Sequence, residues 1–563
     1  MPLSCCFSVS TSQFYCSFVH LDARNYLLTL LNQHSIDYQR VCLDRAPKNA
    51  TMTSPDIRKD ILRAMASCVR EHIVKQISDR FFCLLIDEAR DESTKEQMSL
   101  ILRFVDSSGV IQERFLDMIH VADTRSESLI VAIVSTLSRH GLSLSRVRGQ
   151  GYDGAFNMCG DIIGLKTMIQ REVPSAYYVH CFAHRLQLAL ILAAKNHVKV
   201  CRFFVELSSL CVTAANIRDA IVGEEMKTGR GLNQEQSLRR PGETRWGTHF
   251  VSICRMLDLY DSVIKVLEII VEDATVTESK AEASRLLEVI CSFDFVLMLH
   301  IMKAVLGKSA ALSEALQRKD QDILNAMDLV AVSKYELQVM RSEEGWTTIY
   351  EAVQSFCLAK NIAAPDMESC YVLTGRPRRN ADNITCDHYY RVEIFFNIVD
   401  SQLSELDDRF PECSSALLTR IAYLCPDHLR IHGNVSELWV TTRMYPDDFD
   451  QYDLVMLEQQ ILQFSIELKL NKAFFGIQSL SAIAMKMFEL KNLVLTLPVS
   501  IASTERSFSA LKIMKMRLRN KMGDGYLVDT ISLFVERELA QGITTDVIIK
   551  KFQALSTRRL QLD

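Results

Sequence analysis

The chain has 563 residues and a formal net charge of −5. That length exceeds what one hydrophobic core normally serves, so two or three domains are expected. The acidic balance excludes a uniformly basic nucleic-acid coat but is compatible with local basic patches. No run of about 20 apolar residues occurs, which excludes a transmembrane reading. The start, Met1-Pro2-Leu3-Ser4-Cys5-Cys6, lacks the basic and apolar regions of a signal peptide. The 17 cysteines are scattered, with no Cys-x-x-Cys pair. Cys83, Cys201, Cys211 and Cys291 lie inside apolar runs, as buried reduced thiols do. A soluble intracellular protein, nuclear or cytosolic, is expected.

Residues 1–50 read as a poorly defined lead-in. A helix is expected over 55–80, opened by Ser54-Pro55-Asp56. Strands follow at 81–87, 98–106 and 110–121, the last two joined by the turn Asp106-Ser107-Ser108-Gly109. A helix over 125–140 stops at Gly141. Then come a strand at 145–152, a helix over 161–171, a short strand at 176–180 and a helix over 182–196. Helices packed on a mixed sheet have this order, as in an RNase H-like fold. From about 200 to 485 the pattern turns helical, for example over Ala304–Val330, with an exposed loop at Gly375–Asn380. Asn492–Leu497 is apolar, Pro498 breaks it, and a helix carrying Glu505 follows.

Three acids stand out. Asp87 ends the apolar run from Phe81, Asp153 lies in Gly149-Gln150-Gly151-Tyr152-Asp153-Gly154-Ala155, and Glu505 lies in Ser503-Thr504-Glu505-Arg506-Ser507-Phe508-Ser509. Two carboxylates at strand ends and one on a later helix can share divalent cations that activate water or a hydroxyl against a phosphodiester. Each also has an ordinary explanation: an acid-capped strand exit for Asp87, a Gly-rich turn for Asp153, a helix-dipole partner for Glu505. The glycines around Tyr152-Asp153 would let backbone approach a phosphate or metal.

Taken together, Leu85-Ile86-Asp87-Glu88-Ala89-Arg90-Asp91, the Asp153 segment, His180-Cys181-Phe182-Ala183-His184-Arg185-Leu186, Thr244-Arg245-Trp246-Gly247, Leu316–Asp322 and the Glu505 segment resemble, in order, the hAT superfamily of DNA transposases. The likeness is to its zinc finger MYM-type and TTF-type hAT-dimerisation relatives, over about 51–545. It implies an α/β + α architecture, an RNase H-like mixed-sheet catalytic domain interrupted by a large all-α insertion domain. The first part would span 51–200 and the insertion 201–490. The final part, with a C-terminal dimerisation region, would span 491–545, and a tail 546–563. It implies catalysis and metal binding by Asp87, Asp153 and Glu505, which lie 66 and then 352 residues apart. The cofactor would be Mg²⁺ or Mn²⁺, the cations suited to an all-carboxylate site.

Two departures from the family pattern are visible. The Cys/His spacing of the family's N-terminal zinc finger is not found, and Phe156 replaces a usual Ser, where it would crowd the site or pack. Cys181 and His184 could offer two soft zinc ligands, but a packed Cys with a hydrogen-bonded His explains them as well. Arg239, Arg240, Arg245 and Trp246 suit DNA, with the Trp stacking on an unpaired base; a core Trp is the alternative. Lys512, Lys515, Arg517, Arg519 and Lys521 form a basic run that suits the DNA backbone or a solvated helix face. Leu527, Ile531, Phe534, Val535 and Leu539 recur at helical spacing and serve either dimerisation or the cover of the sheet. Two function classes follow: a metal-dependent transposase that cleaves and transfers DNA strands, or an inactive derivative that dimerises and binds DNA or protein as a regulator. A host RNase H-type nuclease is poorly compatible with the insertion. Partners are expected to be DNA, through backbone contacts, and a second copy, without a membrane.

Overall fold

The computed structural model describes residues 55–221, 247–273, 277–371, 384–410, 445, 448, 451–470, 496–515 and 522–555. It divides into two compact units. One comprises 1–181 and 423–563, the other 182–422. The sequence places the helical block at 201–490; the second unit instead starts at Phe182 and ends at Ala422, and the helix Gln451–Leu470 belongs to the first.

The first unit is built on a five-stranded sheet of order β3-β2-β1-β4-β5, the RNase H-like order. Its strands are β1 Phe82–Arg90, β2 Glu96–Val105, β3 Ile111–Val121, β4 Val147–Tyr152 and β5 Tyr177–His180. β1, β2 and β3 pair antiparallel as a meander. β4 and β5 are added in parallel beyond β1, reached through the helices Ser126–Arg139 and Leu165–Glu172. The turn between β2 and β3 closes as expected, with Gly109 at φ 81° and the Asp106 amide donating to Val110 O at 2.9 Å. Gly141, at φ 72°, ends the helix before β4.

Alternation along the strands assigns the two faces of the sheet. Phe82, Leu84, Ile86, Leu100, Leu102, Phe104 and Leu116 form one face with the helices Pro55–Ile77 and Ser126–Arg139. The C-terminal helices close this side: Asp524–Val535 packs on Pro55–Ile77 and β3, and Thr545–Ala554 on Pro55–Ile77. Arg70 of the first helix donates to Asp529 at 2.7 Å and to Ser532 Oγ at 3.1 Å. β3 carries one extra residue between Leu100 and Ile101 of its partner. At this bulge the Phe115 amide donates to the buried Glu536 carboxylate at 2.7 Å.

The opposite face, around Cys83, Leu85, Ser99 and Ile101, is covered by the helix Ala502–Met514. Arg148 sits at a register shift between β1 and β4. It is buried against Asp448, with its guanidinium 4.0 Å from the Phe81 ring centroid.

The second unit is helical. At its centre Phe293–Leu316 packs against Gly247–Asp258, Ile323–Met340 and Glu343–Ala359. Length and mean hydropathy of 1.5 would let this helix cross a membrane, but 61% of the window is buried within the protein, and it serves as a core helix. The helical period expected to run through Ala304–Val330 is broken at Gln317–Asp322. There the Asp322 side chain accepts from the Asn325 amide at 2.9 Å and starts a new helix at Ile323. Cys83 and Cys211 are buried as expected, whereas Cys201 and Cys291 are exposed; the described cysteines are all free. Residues 1–54, the loop at 375–380 and the tail from 556 lie outside the described residues.

Three groups of buried polar contacts fix the helix Ala502–Met514 on the sheet. Lys515 donates to Asp91 at 2.6 Å, with both side chains essentially without solvent exposure. Ser507 and Ser99 hydroxyls meet at 2.6 Å. Ser503 donates to Glu113, which also accepts from Arg103 at 2.8 Å. Burial pushes Asp91 up, but hydrogen bonds from Lys515, Gln97 and the Lys95 and Ser93 amides outweigh it and hold the carboxyl at about 2. Removing one member of a buried pair strands the other charge. Lys515→Met is therefore expected to lower the stability of the sheet-bearing unit by about 3–5 kcal/mol, read from its urea transition; an unchanged transition would remove this anchor.

Candidate active site

Asp87 lies near the end of β1 and pairs directly with Ser99 of β2. Its Oδ1 accepts from the Glu88 amide at 3.0 Å. Asp153 follows β4, the strand next to β1, and its Oδ1 accepts from the Ala155 amide at 3.1 Å. The Tyr178 hydroxyl donates to the Asp153 carbonyl at 3.0 Å, and the Cys181 amide donates to the Tyr152 carbonyl at 3.1 Å, so β5 holds the loop from behind. Glu505 occupies the first turn of Ala502–Met514, half-buried. Two residues later Ser507 bonds Ser99, the cross-strand partner of Asp87. The polar anchor thus brings the third acid to the edge of the sheet where the first two stand.

Electrostatics register that approach. Burial pushes the Asp87 carboxyl up, and the negative charges of Asp153 and Glu505 add to it, giving about 7. Glu88 is also raised to about 7, first by burial and then by Asp153, against a hydrogen bond from Asn157. Its Oε1 is buried without a hydrogen-bond partner. Asn157 ties this corner together: its side-chain amide donates to Glu88 at 3.3 Å and to the Thr124 carbonyl at 2.8 Å. The Ser126 hydroxyl donates to the Asn157 carbonyl at 2.7 Å. Among the described residues no three His, Cys, Asp or Glu side chains stand close enough to hold one ion as placed. The donor chemistry nevertheless fits a hard divalent cation. Mg²⁺ takes oxygen ligands and usually keeps several waters, with only one or two carboxylates from protein.

The glycines before Asp153 have a different use from the one expected. A Cβ on Gly151 would lie 2.8 Å from Pro498 Cβ, and one on Gly149 would lie 2.3 Å from Cys83 Sγ and 3.1 Å from Leu497 Cδ2. Their bareness admits the segment that returns toward Glu505 rather than a phosphate. A Cβ on Gly154 would likewise meet the His180 ring, 2.8 Å from its Cε1. Phe156 neither crowds the acids nor packs: it opens a short helix and is 75% exposed.

Other expected site residues separate. Lys515 is buried in its ion pair and is not a DNA contact, whereas Lys512 on the same helix is exposed. Cys181 is buried, and the Ile501 amide donates to its Sγ at 3.4 Å. The described residues around Cys181 and His184 form no metal-holding group. Leu527 and Ile531 belong to the core of their own subunit, because Asp524–Val535 covers the helix Pro55–Ile77; Phe534 and Val535 are half-buried. Arg239, Arg240, Arg245, Trp246, Arg517, Arg519 and Lys521 lie outside the described residues.

Of the residues that anchor Glu505, Lys515 stood out only as part of a basic run, and Ser99, Arg103 and Glu113 were not singled out in the sequence. Arg103 and Glu113, charges inside otherwise apolar strands, were the signal available for them.

Residues 21–164 match the DUF4371 family, described as "ZMYM1/FAM200, RNase-like domain", and residues 484–539 match the "hAT family C-terminal dimerisation region". Both matches are to parts of a hAT-type, transposase-derived architecture. Across most of its length it is similar to the "52 kDa repressor of the inhibitor of the protein kinase" of Homo sapiens. The two are 22% identical over 543 residues, covering 91% of this chain and 69% of the relative. The Mus musculus protein of the same name is 22% identical over 544 residues, with the same coverage. Within the hAT architecture, the RNase-like match ends at Gly164, after β4 and the Asp153 loop, and the dimerisation match contains Glu505 with its helix Ala502–Met514 and the next helix, Asp524–Val535.

The raised Asp87 carboxyl gives a signed pH dependence. A carboxylate whose pKa is higher folded than unfolded contributes stability that is complete at low pH and is lost as pH rises through the folded value. The metal-free protein is therefore expected to lose stability from about pH 4 to about pH 7, with Asp87→Asn flattening that fall and raising the neutral-pH melting temperature. A melting curve equally pH-dependent in Asp87→Asn would show that the charge cluster lies elsewhere.

Proposed function

We propose that this hAT-type chain carries a metal-dependent phosphoryl-transfer site for DNA strand cleavage and transfer, formed by Asp87, Asp153 and Glu505. The observation that carries the reading is the electrostatic burden on Asp87. Beyond burial, which raises its carboxyl most, two acids 66 and then a further 352 residues away in sequence add to the rise at one edge of an RNase H-like sheet. Such concentrated negative charge suits Mg²⁺ or Mn²⁺. When bound, the cation would lower the pKa of the attacking water or 3′-hydroxyl and stabilise the leaving oxygen. Asp87 and Asp153, on adjacent strands, would hold it from the sheet, and Glu505 from the helix above. Asn157 and Tyr178 keep the Asp153 loop in position against β1 and β5.

DNA is proposed to run past this edge in a nuclear protein. Lys512 would contact phosphates, as would Arg239, Arg240, Arg245, Arg517 and Arg519, with Trp246 stacking on a base. Backbone contacts of this kind give weak sequence selectivity. The dimerisation-region match supports self-association. A second reading, a non-cutting regulator that dimerises and binds DNA or protein, is favoured by one observation: the similar human and mouse proteins bear the name of a repressor.

The two readings separate in a cleavage assay on DNA carrying the element's terminal inverted repeats, with Mg²⁺ or Mn²⁺. Strand cleavage by the wild type, reduced at least about 100-fold in Asp153→Asn, supports catalysis; even the outer partners of metal ligands produce losses of that size. No cleavage beyond the Asp153→Asn background leaves the regulator reading. Binding to duplex DNA is expected to weaken steeply with salt, and Lys512→Ala should reduce the salt slope by about 1. A slope unchanged in Lys512→Ala would take that residue out of the DNA path.

A further inference from the structure

Asp87 and Glu88 are neighbours on β1, so their side chains leave opposite faces of the sheet. Asp87 shares the face of Cys83 and Leu85, under the helix Ala502–Met514, and Glu88 shares that of Leu84 and Ile86. Among the described residues the one hydrogen-bond partner of the Glu88 carboxylate is Asn157, whose amide donates to Oε2 at 3.3 Å; Oε1 is buried without a partner. Asn157 lies in the short helix Phe156–Cys159, on the segment that carries Asp153. Its amide nitrogen has two hydrogens to give, and it also donates to the Thr124 carbonyl at 2.8 Å. The Met158 and Cys159 amides both donate to the Ala155 carbonyl, at 3.0 and 2.9 Å, and the Ala155 amide donates to Asp153 Oδ1 at 3.1 Å. One closed turn therefore joins Asn157 to the Asp153 carboxylate.

We propose that Glu88 is a positioning residue for the cation site: by accepting from Asn157 it sets the Asp153 carboxylate at a fixed distance from Asp87, its own neighbour in the chain. One dipeptide then serves both carboxylates, Asp87 directly and Asp153 through the turn. Met158 holds that turn by burial, but an apolar contact is not directional. The bonds of Asn157 are directional and decide which way the turn faces. Glu88 and Asp153 repel one another as charged acids, so the bond through Asn157 also restrains the loop against that repulsion. Removing the outer partner of a metal ligand lets the ligand wander, and metal affinity falls about 10- to 100-fold.

This inference rests on the cation site of the proposed function and adds a residue to it. Mn²⁺ titrated into the full chain without DNA, followed by calorimetry, tests the two separately, with the melting curve of each variant taken alongside. Asn157→Asp sets a carboxylate against Glu88. It adds negative charge near the cation, yet it is expected to weaken Mn²⁺ binding at least about tenfold. Adding Glu88→Gln to it restores the wild-type net charge and reverses the bond, the glutamine amide now donating to the aspartate. This double variant is expected to regain wild-type affinity. The Thr124 carbonyl loses its donor in both, so the recovery isolates the contact with Glu88. Glu88→Gln alone keeps an acceptor for Asn157 and is expected to bind as the wild type does. A wild type that binds no Mn²⁺, or binds it equally well as Asp153→Asn, overturns the cation site and this inference together. Binding that depends on Asp153 but is unweakened in Asn157→Asp overturns the inference alone, as does a loss that the double variant does not recover. Where Asn157→Asp does not fold, Glu88→Ala decides: it is expected to lose about tenfold in affinity where Glu88→Gln keeps it, and equal binding by these two removes Glu88 from the role.

Discussion

The row of polar contacts beneath the helix Ala502–Met514 is the constraint on which the candidate site depends. Along β2 the side chains on that face are Gln97, Ser99, Ile101, Arg103 and Val105, and three of these five are polar. Lys515 meets the Gln97–Asp91 pair, Ser507 meets Ser99, and Ser503 meets the Arg103–Glu113 pair. The helix therefore runs opposite to β2, with each group in fixed order. An apolar interface of the same area would stabilise the contact at least as well, since buried ion pairs are weak sources of net stability. It would not set the register as tightly. Slippage by one helical turn would carry Glu505 about 5.4 Å along the helix axis, away from Asp87, and would leave buried charges unmet. The polar row makes that slip costly.

A second constraint acts on the backbone. The chain returning to Glu505 passes over β4 at Leu497 and Pro498, where Gly149 and Gly151 leave no side chain in its way. Pro498 cannot donate a backbone hydrogen bond, and a close approach without one suits it. The two constraints act in sequence along the chain, first the glycines and proline setting its path, then the serines and lysine setting the helix.

Much of the fold was legible because its strands and helices announce themselves by period. The five strands and the helices between them fall within a few residues of where apolar alternation, Gly141 and the Asp106–Gly109 turn place them. The second face of the sheet was not legible. In Met98-Ser99-Leu100-Ile101-Leu102-Arg103-Phe104 the polar residues at 99 and 103 have the spacing of a solvent-facing row, yet both are fully buried. Only a partner arriving some 400 residues later turns that row inward, and no local pattern records it. Lys515 misleads for the same reason: in sequence it belongs to a basic run, and in space it belongs to Asp91. Leu527 and Ile531 show the reverse difficulty. Their helical stripe was visible, but whether it faced a second copy or its own first helix depended on where Pro55–Ile77 lay.

The acids themselves fit a division of labour between folding and chemistry. Several buried carboxylates of the same unit are paired with a cation, as Glu113 is with Arg103, Asp91 with Lys515 and Asp529 with Arg70. Asp87, by contrast, is raised by burial and by the negative charges of Asp153, Glu505 and Glu88. A fold that pairs those carboxylates with arginine or lysine, and leaves Asp87 and its neighbour Glu88 opposed by acids, places its electrostatic strain at one edge of the sheet. Natural proteins tolerate such local conflicts mainly where function requires them. Protonation relieves the conflict at low pH, and a bound divalent cation would relieve it at neutral pH while leaving the carboxylates charged. The anchoring row then has a further consequence. It holds Glu505 against its repulsion from Asp87, so that the site need not reassemble each time a cation arrives.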